Sequence, residues 1–213
     1  AFGLIGLISL GLRFALTTVA LLFFIGACGL WISAMLTLSS VMVSVLLCVI
    51  IGLPIGIACA NFPRLNMVLK PILDSMQTMP SFVYLIPVLM FFGGNIVSAV
   101  IATVIYALPP VIRMTTLGIT QIPESYTEVS QMFGSTRLQR LLKVQLPMAL
   151  PSIMMGINQG VMMGLAMQVI TPMIGGGGLG RDVFYSLSLS NTGAGLAAGT
   201  GIVLLAKIGR AHV

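Results

Sequence analysis

Long intervals without a charged residue are the feature that most limits what this chain can fold into. Asp, Glu, Lys and Arg are absent from four intervals: Arg13 to Arg64, Asp74 to Arg113, Lys143 to Arg181, and Asp182 to Lys207. One membrane-spanning helix needs about 20 predominantly apolar residues. Each interval therefore holds at least one span, and the first is long enough for two.

The composition supports the same conclusion. Hydrophobic residues make up 58% of the chain and charged residues 7%, and the mean hydropathy is +1.12. A soluble domain carries roughly a quarter charged residues. The sequence therefore predicts an all-α, polytopic membrane protein. The formal charge of +6 does not indicate a nucleic-acid partner, because the ten basic residues are scattered singly and form no basic stripe.

Five apolar segments are predicted to span the membrane, and a sixth begins near Ala194. Their approximate bounds are Phe14–Leu30, Leu36–Ala60, Ser81–Phe92, Ile96–Ile112 and Ala149–Ile174. The second span contains helix breakers, which membrane helices tolerate because neighbouring helices satisfy the freed backbone groups; these are Gly52, Pro54 and Gly56. The Pro109–Pro110 pair is predicted to interrupt the fourth span.

The basic residues set the predicted orientation. Successive crossings leave Arg181 on one side and seven basic residues on the other: Arg13, Arg64, Lys70, Arg113, Arg137, Arg140 and Lys143. Since basic residues accumulate on the cytoplasmic side, that side is predicted to be cytoplasmic. The polar segment of residues 120–147 then becomes a cytoplasmic loop.

The sequence also allows a prediction about each end of the chain. The chain starts at Ala1 without an initiator Met, so we expect an incomplete N-terminus. The apolar run before Lys207 breaks abruptly into a string that resembles one translated frame of a common sequencing adapter. We therefore expect residues 1–206 to form one transmembrane domain and residues 207–213 to be a non-native read-through tail.

The cytoplasmic loop has more internal pattern than a connector requires. Ser125 and Glu128 form a predicted capping box that opens a short helix. That helix places Val129, Met132 and Phe133 on one face. Gly134 follows, and it suits the left-handed residue that ends a helix.

A second short helix is predicted to follow. Thr136 and Gln139 offer another capping box. The helix would place Leu138, Leu141 and Leu142 on one face and its basic residues on another. Leu146–Pro147 is predicted to end it at the membrane. Two short helices with exposed apolar residues favour a docking function.

The loop resembles that of ABC importer permeases, whose pattern is E-A-A, three residues, G, nine residues, I, any residue, L-P. Here the pattern is Glu128-Val129-Ser130, then Gly134, then Val144 and Leu146-Pro147, with matching spacing. The departures are Val129 and Ser130 for the alanines and Val144 for isoleucine. The resemblance implies a type I ABC importer permease of five to six spans. It also implies that residues 120–147 dock on a separate ATPase through Glu128, Val129, Met132, Phe133, Gly134, Leu146 and Pro147.

Simpler interpretations of these residues stay open. Glu128 can serve only as a capping-box partner, and Gly134 can serve only to end the helix. The basic face of the second helix can contact lipid headgroups instead of an ATPase. None of these alternatives removes the docking hypothesis, because docking itself needs a well-formed helix pair.

Three further stretches resemble permeases of glycine betaine/proline betaine importers: Leu73–Pro87, Ala107–Arg113 and Gly175–Gly180. The resemblance implies transport of quaternary ammonium osmolytes, which include glycine betaine, proline betaine, choline and carnitine. It also implies a multi-pass protein of a bacterial or archaeal inner membrane, a permease homodimer in the lipid bilayer, ATPase subunits that hold ATP and Mg, and a substrate-binding protein. The chain itself would hold no cofactor.

Two alternatives compete with this function. One is an ABC permease for another small solute, such as methionine or another amino acid. The other is an ATP-independent secondary transporter, which would need titratable residues at the membrane midplane or an inverted repeat. The sequence shows neither of these features.

Residues along a translocation path are harder to predict. Aromatic faces usually hold quaternary ammonium groups, and Tyr84 and Tyr106 lie within spans. Gln77, Thr78 and Tyr84 are the path-lining candidates, although they can equally well satisfy helix ends and pack between spans. Asp74 is predicted to pair with Lys70 on the preceding turn.

Several other patterns are rejected as functional sites. The G-x-G-x-x-G run at Gly175–Gly180 lacks a βαβ context and is interpreted as a flexible extracytoplasmic turn. The three cysteines lie in apolar segments without metal-ligand spacing. The single His lies in the suspected tail, so no catalytic set can be assembled. The chain is predicted to be neither an enzyme nor a metal-binding protein.

Overall fold

The computed structural model describes residue 19, residues 22–23 and residues 25–211, with side chains through Lys207. The described residues form helices joined by short turns, and they include no strand. The α-helices are α1 Trp31–Asn61, α2 Pro63–Thr78, α3 Phe82–Phe92, α4 Ile96–Thr120, α5 Glu124–Met132, α6 Arg137–Arg140, α7 Leu146–Met167, α8 Leu179–Ser188 and α9 Thr192–Ala211. A π-helical segment, Leu141–Gln145, and a 3₁₀ turn, Thr171–Ile174, precede and follow α7.

The predicted spans correspond to helices wherever the structure describes them. The helices α1, α3, α4, α7 and α9 cover the second to sixth predicted spans, whereas about half of the first lies outside the described residues. By length and hydropathy, α1 and α4 qualify as candidate spans within the described part of the chain. The pair α2 and α3 makes a third if it forms one broken span, so fewer helices meet this criterion than the five to six predicted.

The prolines do not break the helices in which they lie. The predicted interruption at Pro109–Pro110 was wrong, because α4 continues through both residues to Thr120. Pro54, Pro87 and Pro151 also lie inside helices. A break in lipid would leave further backbone groups unsatisfied, which costs more than the local distortion at a proline.

The chain does break between α1 and α2. Phe62 adopts an extended conformation, with φ −122° and ψ 94°, and Pro63 follows as the first residue of α2. The proline ring disfavours a helical conformation in the residue before it but suits the first position of a helix. The Phe62–Pro63 pair therefore ends one helix and starts the next.

One compact unit comprises Leu46–Met79 and Ala107–Gly160. Its apolar clusters centre on Cys59, Leu73 and Ile112, and on Ile119, Ala149 and Ile153. Glycines bring the helices of this unit close together. A Cβ atom on Gly52 would lie 2.9 Å from Val111 Cγ1, and one on Gly56 would lie 2.6 Å from Thr115 Cβ. Gly52 and Gly56 thus form a small-residue pair at the spacing that lets membrane helices approach closely.

The same close approach recurs on α7. A Cβ atom on Gly156 would lie 2.7 Å from Met114 Cβ, and one on Gly160 would lie 3.2 Å from Val111 Cγ2. The Thr116 hydroxyl donates to the Gly56 carbonyl at 3.1 Å as well as to the carbonyl one turn back in α4 at 2.9 Å. Within this unit, α4 therefore packs directly against the backbone of α1 and α7 at their glycine residues.

The described residues of the other unit fall within Ala1–Val45, Pro80–Tyr106 and Val161–Val213. The turn that contains Gly175–Gly180 belongs to it, and the interpretation of this turn as flexible does not match its packing. Gly178 and Gly180 are buried, and a side chain on either would collide with its neighbours. The Leu179 amide donates to Thr37 Oγ1 at 2.8 Å. Close packing and a buried hydrogen bond hold this turn in place.

Candidate functional site

The segment of residues 120–147 starts its first helix earlier than predicted. The capping box of Ser125 and Glu128 is absent: α5 begins at Glu124, Pro123 occupies the cap position, and no side chain caps the helix. Pro123 has a φ of −56° and an extended ψ of 138°, so the chain enters the helix directly after it. Glu128 is exposed, and because no side chain caps α5, its capping interpretation fails.

Gly134 ends α5 in the way that the sequence predicted. Its φ is +72°, in the left-handed region that favours glycine. The Gly134 amide donates to the Gln131 carbonyl at 2.8 Å, and the Ser135 amide donates to the Ser130 carbonyl at 3.1 Å. These two bonds make a Schellman motif, which satisfies carbonyl groups at the end of the helix.

A capping box formed by Thr136 and Gln139 starts the next helix, α6. The Gln139 amide donates to Thr136 Oγ1 at 3.3 Å, and the Thr136 amide donates to Gln139 Oε1 at 2.9 Å. This second predicted capping box is confirmed. The turn between α5 and α6 is therefore fixed by hydrogen bonds on both sides of Gly134.

Leu146–Pro147 does not end the second helix, and that prediction was wrong. The chain continues from α6 through the π-helical segment into α7, and the Leu146 amide donates to the Leu141 carbonyl. Pro147 follows directly after the π-helical segment, where the hydrogen bonds already depart from the i to i−4 pattern of an α-helix. Leu146 packs against the cluster of Ile119, Ala149 and Ile153, whereas Pro147 is exposed.

The most exposed apolar residues of the segment lie at the end of α5. Phe133 is 87% exposed and Met132 is 85% exposed. Tyr126 and Val129 are about half exposed, and with Ser125, Ser130 and Val144 they line a cavity of about 420 Å³. We call Tyr126, Val129, Met132 and Phe133 the apolar tip. An exposed apolar surface of this kind marks an interaction site for a protein or a membrane.

An ion pair joins α2 to α4 in the same unit. Arg113 Nη2 donates to Asp74 Oδ1, and Arg113 Nη1 donates to Gln77 Oε1. The predicted pair of Asp74 with Lys70 was wrong, because the guanidinium of α4 reaches both acceptors on α2 at once. Planar guanidinium groups favour such two-point contacts.

The three path candidates have different surroundings. Gln77 accepts from Arg113 and faces a cavity. Thr78 is exposed at the end of α2, where its hydroxyl donates to the Ser75 carbonyl at 3.0 Å. Tyr84 is 7% exposed and packs edge-to-face on Tyr106, with ring centroids 5.7 Å apart. The structure thus places Gln77 at a cavity, whereas Thr78 bonds within its own helix and Tyr84 lies in a core.

The cavity at Gln77 has a volume of about 470 Å³, within the usual range of small-molecule sites. Its lining residues come from α2, α4 and α7: Asn66, Lys70, Leu73, Gln77, Pro110, Arg113, Met114, Thr116, Leu117, Thr120 and Gln159. Sequence reasoning used Lys70 and Arg113 for orientation, for the predicted Lys70–Asp74 pair and for the Ala107–Arg113 resemblance, and it missed that they share a cavity. One signal was available, since Asn66, Lys70, Leu73 and Gln77 recur at helical spacing.

Comparison with known proteins identifies the family. Residues 52–209 match the model of the family described as "Binding-protein-dependent transport system inner membrane component". The chain belongs to this family. The match covers most of the chain and includes the 120–147 segment, so the predicted permease family is confirmed.

Two relatives within the family show the extent of similarity. The glycine betaine/proline betaine transport system permease protein ProW of Escherichia coli is 47% identical over 198 residues. These residues cover 93% of this chain and 56% of that protein. The glycine betaine transport system permease protein OpuAB of Bacillus subtilis is 47% identical over 84% of this chain and 63% of its own length. The chain thus spans about half to two thirds of the length of these two relatives.

More distant family members and solved structures extend the comparison. The trimethylamine N-oxide transport system permease protein TmoV of Ruegeria pomeroyi is 34% identical over 92% of this chain and 30% of its own length. An inward-facing structure of the MetNI methionine ABC transporter matches with a TM-score of 0.75 and 21% identity. It covers 83% of this chain and 88% of the matched chain. This likeness confirms the all-α fold of an ABC importer permease.

Proposed function

We propose that the chain is the permease subunit of an ATP-driven importer for quaternary ammonium osmolytes, with glycine betaine and proline betaine as the first candidates. The observation that carries this proposal is the 47% identity to a glycine betaine/proline betaine permease over 93% of the chain. The methionine transporter, at 21% identity, bears on the fold alone. An amino-acid substrate therefore has no specific observation in its favour.

The 120–147 segment is proposed to dock on a separate ATPase, which binds ATP and Mg. Its apolar tip projects Met132 and Phe133 with more than four fifths of each side chain exposed. The Schellman motif and the capping box fix the helices on either side of Gly134. A rigid apolar projection suits a groove on a protein partner, since little conformational entropy is lost on binding.

The remaining partners follow from the same proposal. They are a second permease copy, a substrate-binding protein outside the membrane, and the lipid bilayer of a bacterial or archaeal inner membrane. The chain holds no cofactor and performs no catalysis in this scheme. ATP binding closes the ATPase subunits, which move the apolar tips and shift the helices between inward-open and outward-open states.

Reconstitution tests the proposal directly. The permease, its ATPase and its binding protein are placed in liposomes, and ATP hydrolysis is measured across a panel of betaines, choline, methionine and other amino acids. Stimulation by betaines supports the function. Stimulation by an amino acid alone would overturn the substrate, and failure of the ATPase to associate would overturn the importer function itself.

Glu128 provides a matched pair of variants for the docking step. Glu128→Lys reverses the charge on the exposed face of α5, whereas Glu128→Gln keeps the shape and removes the charge. We expect Glu128→Lys to uncouple ATP hydrolysis from solute while membrane levels stay normal. Glu128→Gln should retain more coupling, and equal behaviour of both variants and the wild type would contradict a contact at this position.

A further inference from the structure

The cavity of about 470 Å³ between α2, α4 and α7 has a net positive charge. Its lining includes Lys70 and Arg113 and no carboxylate. Asp74 neutralises Arg113 by a salt bridge and does not itself line the cavity. Lys70 is exposed and forms no salt bridge among the residues that the structure describes. The cavity therefore retains the positive charge of Lys70.

The same residues leave hydrogen-bond donors available. A guanidinium has five N–H donors, and an ammonium has three. Arg113 directs two nitrogens at Asp74 and Gln77, which hold its plane in place. The remaining donors, together with the amide groups of Asn66 and Gln159, match the acceptors of a carboxylate.

The lining lacks the groups that would recognise a quaternary ammonium. None of its residues is aromatic, so a trimethylammonium group finds no cation–π partner. The apolar lining residues, Leu73, Pro110, Met114 and Leu117, can contact methyl groups without selecting for charge. A solute whose only charge is positive would instead be repelled by Lys70.

We propose that this cavity is a transit site that selects zwitterionic solutes by their carboxylate. Betaines and carnitine bind with the carboxylate toward Lys70 and Arg113, and choline is discriminated against because a hydroxyl replaces that group. This inference rests on the proposed function and narrows its solute class. Lys70 contributes the attractive charge, and Asp74 and Gln77 position Arg113.

Thiol protection tests the site without help from the binding protein. The exposed Cys28 is replaced by Ser, the buried Cys48 and Cys59 stay, and Thr120→Cys places a thiol in the cavity without removing a proposed carboxylate contact. The labelling rate with N-ethylmaleimide is measured on the permease–ATPase complex in nanodiscs. We expect choline to need a concentration at least about tenfold higher than glycine betaine for half protection, because an ionic hydrogen bond is lost.

Two further variants separate charge from structure. Lys70→Gln should bring the half-protection concentrations of the two solutes together, whereas Arg64→Gln, on the same helix but outside the lining, should leave them apart. Equal protection by both solutes in the cysteine variant that retains Lys70 overturns the inference, as does a lack of protection by either. If either of these results is obtained but the betaine-loaded binding protein still stimulates ATP hydrolysis, the proposed importer function is retained and only the transit site is rejected. A lack of stimulation by any betaine overturns both.

Discussion

Arg113 and Asp74 lie 39 positions apart in the sequence and form a salt bridge that ties α4 to α2. Both side chains are partly exposed, at 39% and 44%. Solvent therefore screens the pair, and its contribution to stability is small. Its main effect is geometric, since Gln77 accepts from the same guanidinium and fixes its orientation at the cavity.

A double-mutant cycle on this pair should give a weak but measurable coupling. We expect Asp74→Asn, Arg113→Gln and the double variant to show a coupling free energy of at most about 1 kcal/mol, as is usual for exposed ion pairs. Thermal unfolding of the purified permease in detergent measures it. Thr78→Val, a change at the exposed end of α2 outside the pair, serves as the control. A coupling of several kcal/mol would contradict the exposed character of the pair.

Gly134 should be replaceable by Asn but not by Pro. Gly134→Pro removes the amide that donates to Gln131 and forces φ from +72° to about −65°. Gly134→Asn keeps the amide, and Asn tolerates the left-handed conformation. We expect the Pro variant to insert normally and to lose solute-stimulated ATP hydrolysis, and the Asn variant to retain most of it. Equal activity in the two variants would show that the turn is not needed for coupling.

The apolar tip should be needed for ATPase association but not for folding. Phe133→Ser changes a side chain that is 87% exposed, so it removes little packing inside the chain. The loss of a buried aromatic residue at an interface commonly costs about 2 kcal/mol or more of binding. We expect co-purification of the ATPase to fall more than about tenfold, by the same principle. Gln131→Ser, on the same helix and also exposed, is the control.

The close contact at Gly56 should make this position intolerant of a side chain. Alanine would place its Cβ 2.6 Å from Thr115 Cβ and 2.9 Å from the Ile112 carbonyl oxygen. Overpacking of this kind costs about 1–3 kcal/mol. We expect Gly56→Ala to lower the thermal unfolding midpoint in detergent. Gly199→Ala, where a Cβ meets no atom within 4 Å, should not lower it, and equal effects would contradict the packing argument.

The long apolar helices could be predicted from the sequence because lipid imposes both length and hydropathy on them. The predicted fourth span began at Ile96, as α4 does, and its predicted end was wrong because proline pairs do not terminate helices in this setting. The helix α2 was not among the predicted spans, although the predicted pair of Lys70 and Asp74 already assumed helical spacing in this segment. Its apolar side, with Leu69, Leu73 and Met76, has a helical period that was present in the sequence.

The candidate site also contains some features that the sequence predicted and others that it did not. Gly134 and the Thr136–Gln139 capping box follow from local chemistry, so the sequence predicted them. The partner of Asp74 is a tertiary contact, and the nearest basic residue in sequence, Lys70, was the wrong choice. Residue spacing along one helix does not reveal which neighbouring helix packs against it. The cavity shared by Lys70 and Arg113 was missed for the same reason.

The residues that shape the turn at Gly134 and the exposed residues beside it are under different evolutionary constraints. Its shape depends on backbone hydrogen bonds, on Gly134 and on the side chains of Thr136 and Gln139. Met132 and Phe133 contribute almost no buried surface within the chain. Their identities can therefore drift together with the groove of a cognate ATPase while the turn that presents them stays unchanged. In the proposed docking, substitutions at the apolar tip alone would change which ATPase is bound and would leave the turn that presents the tip intact.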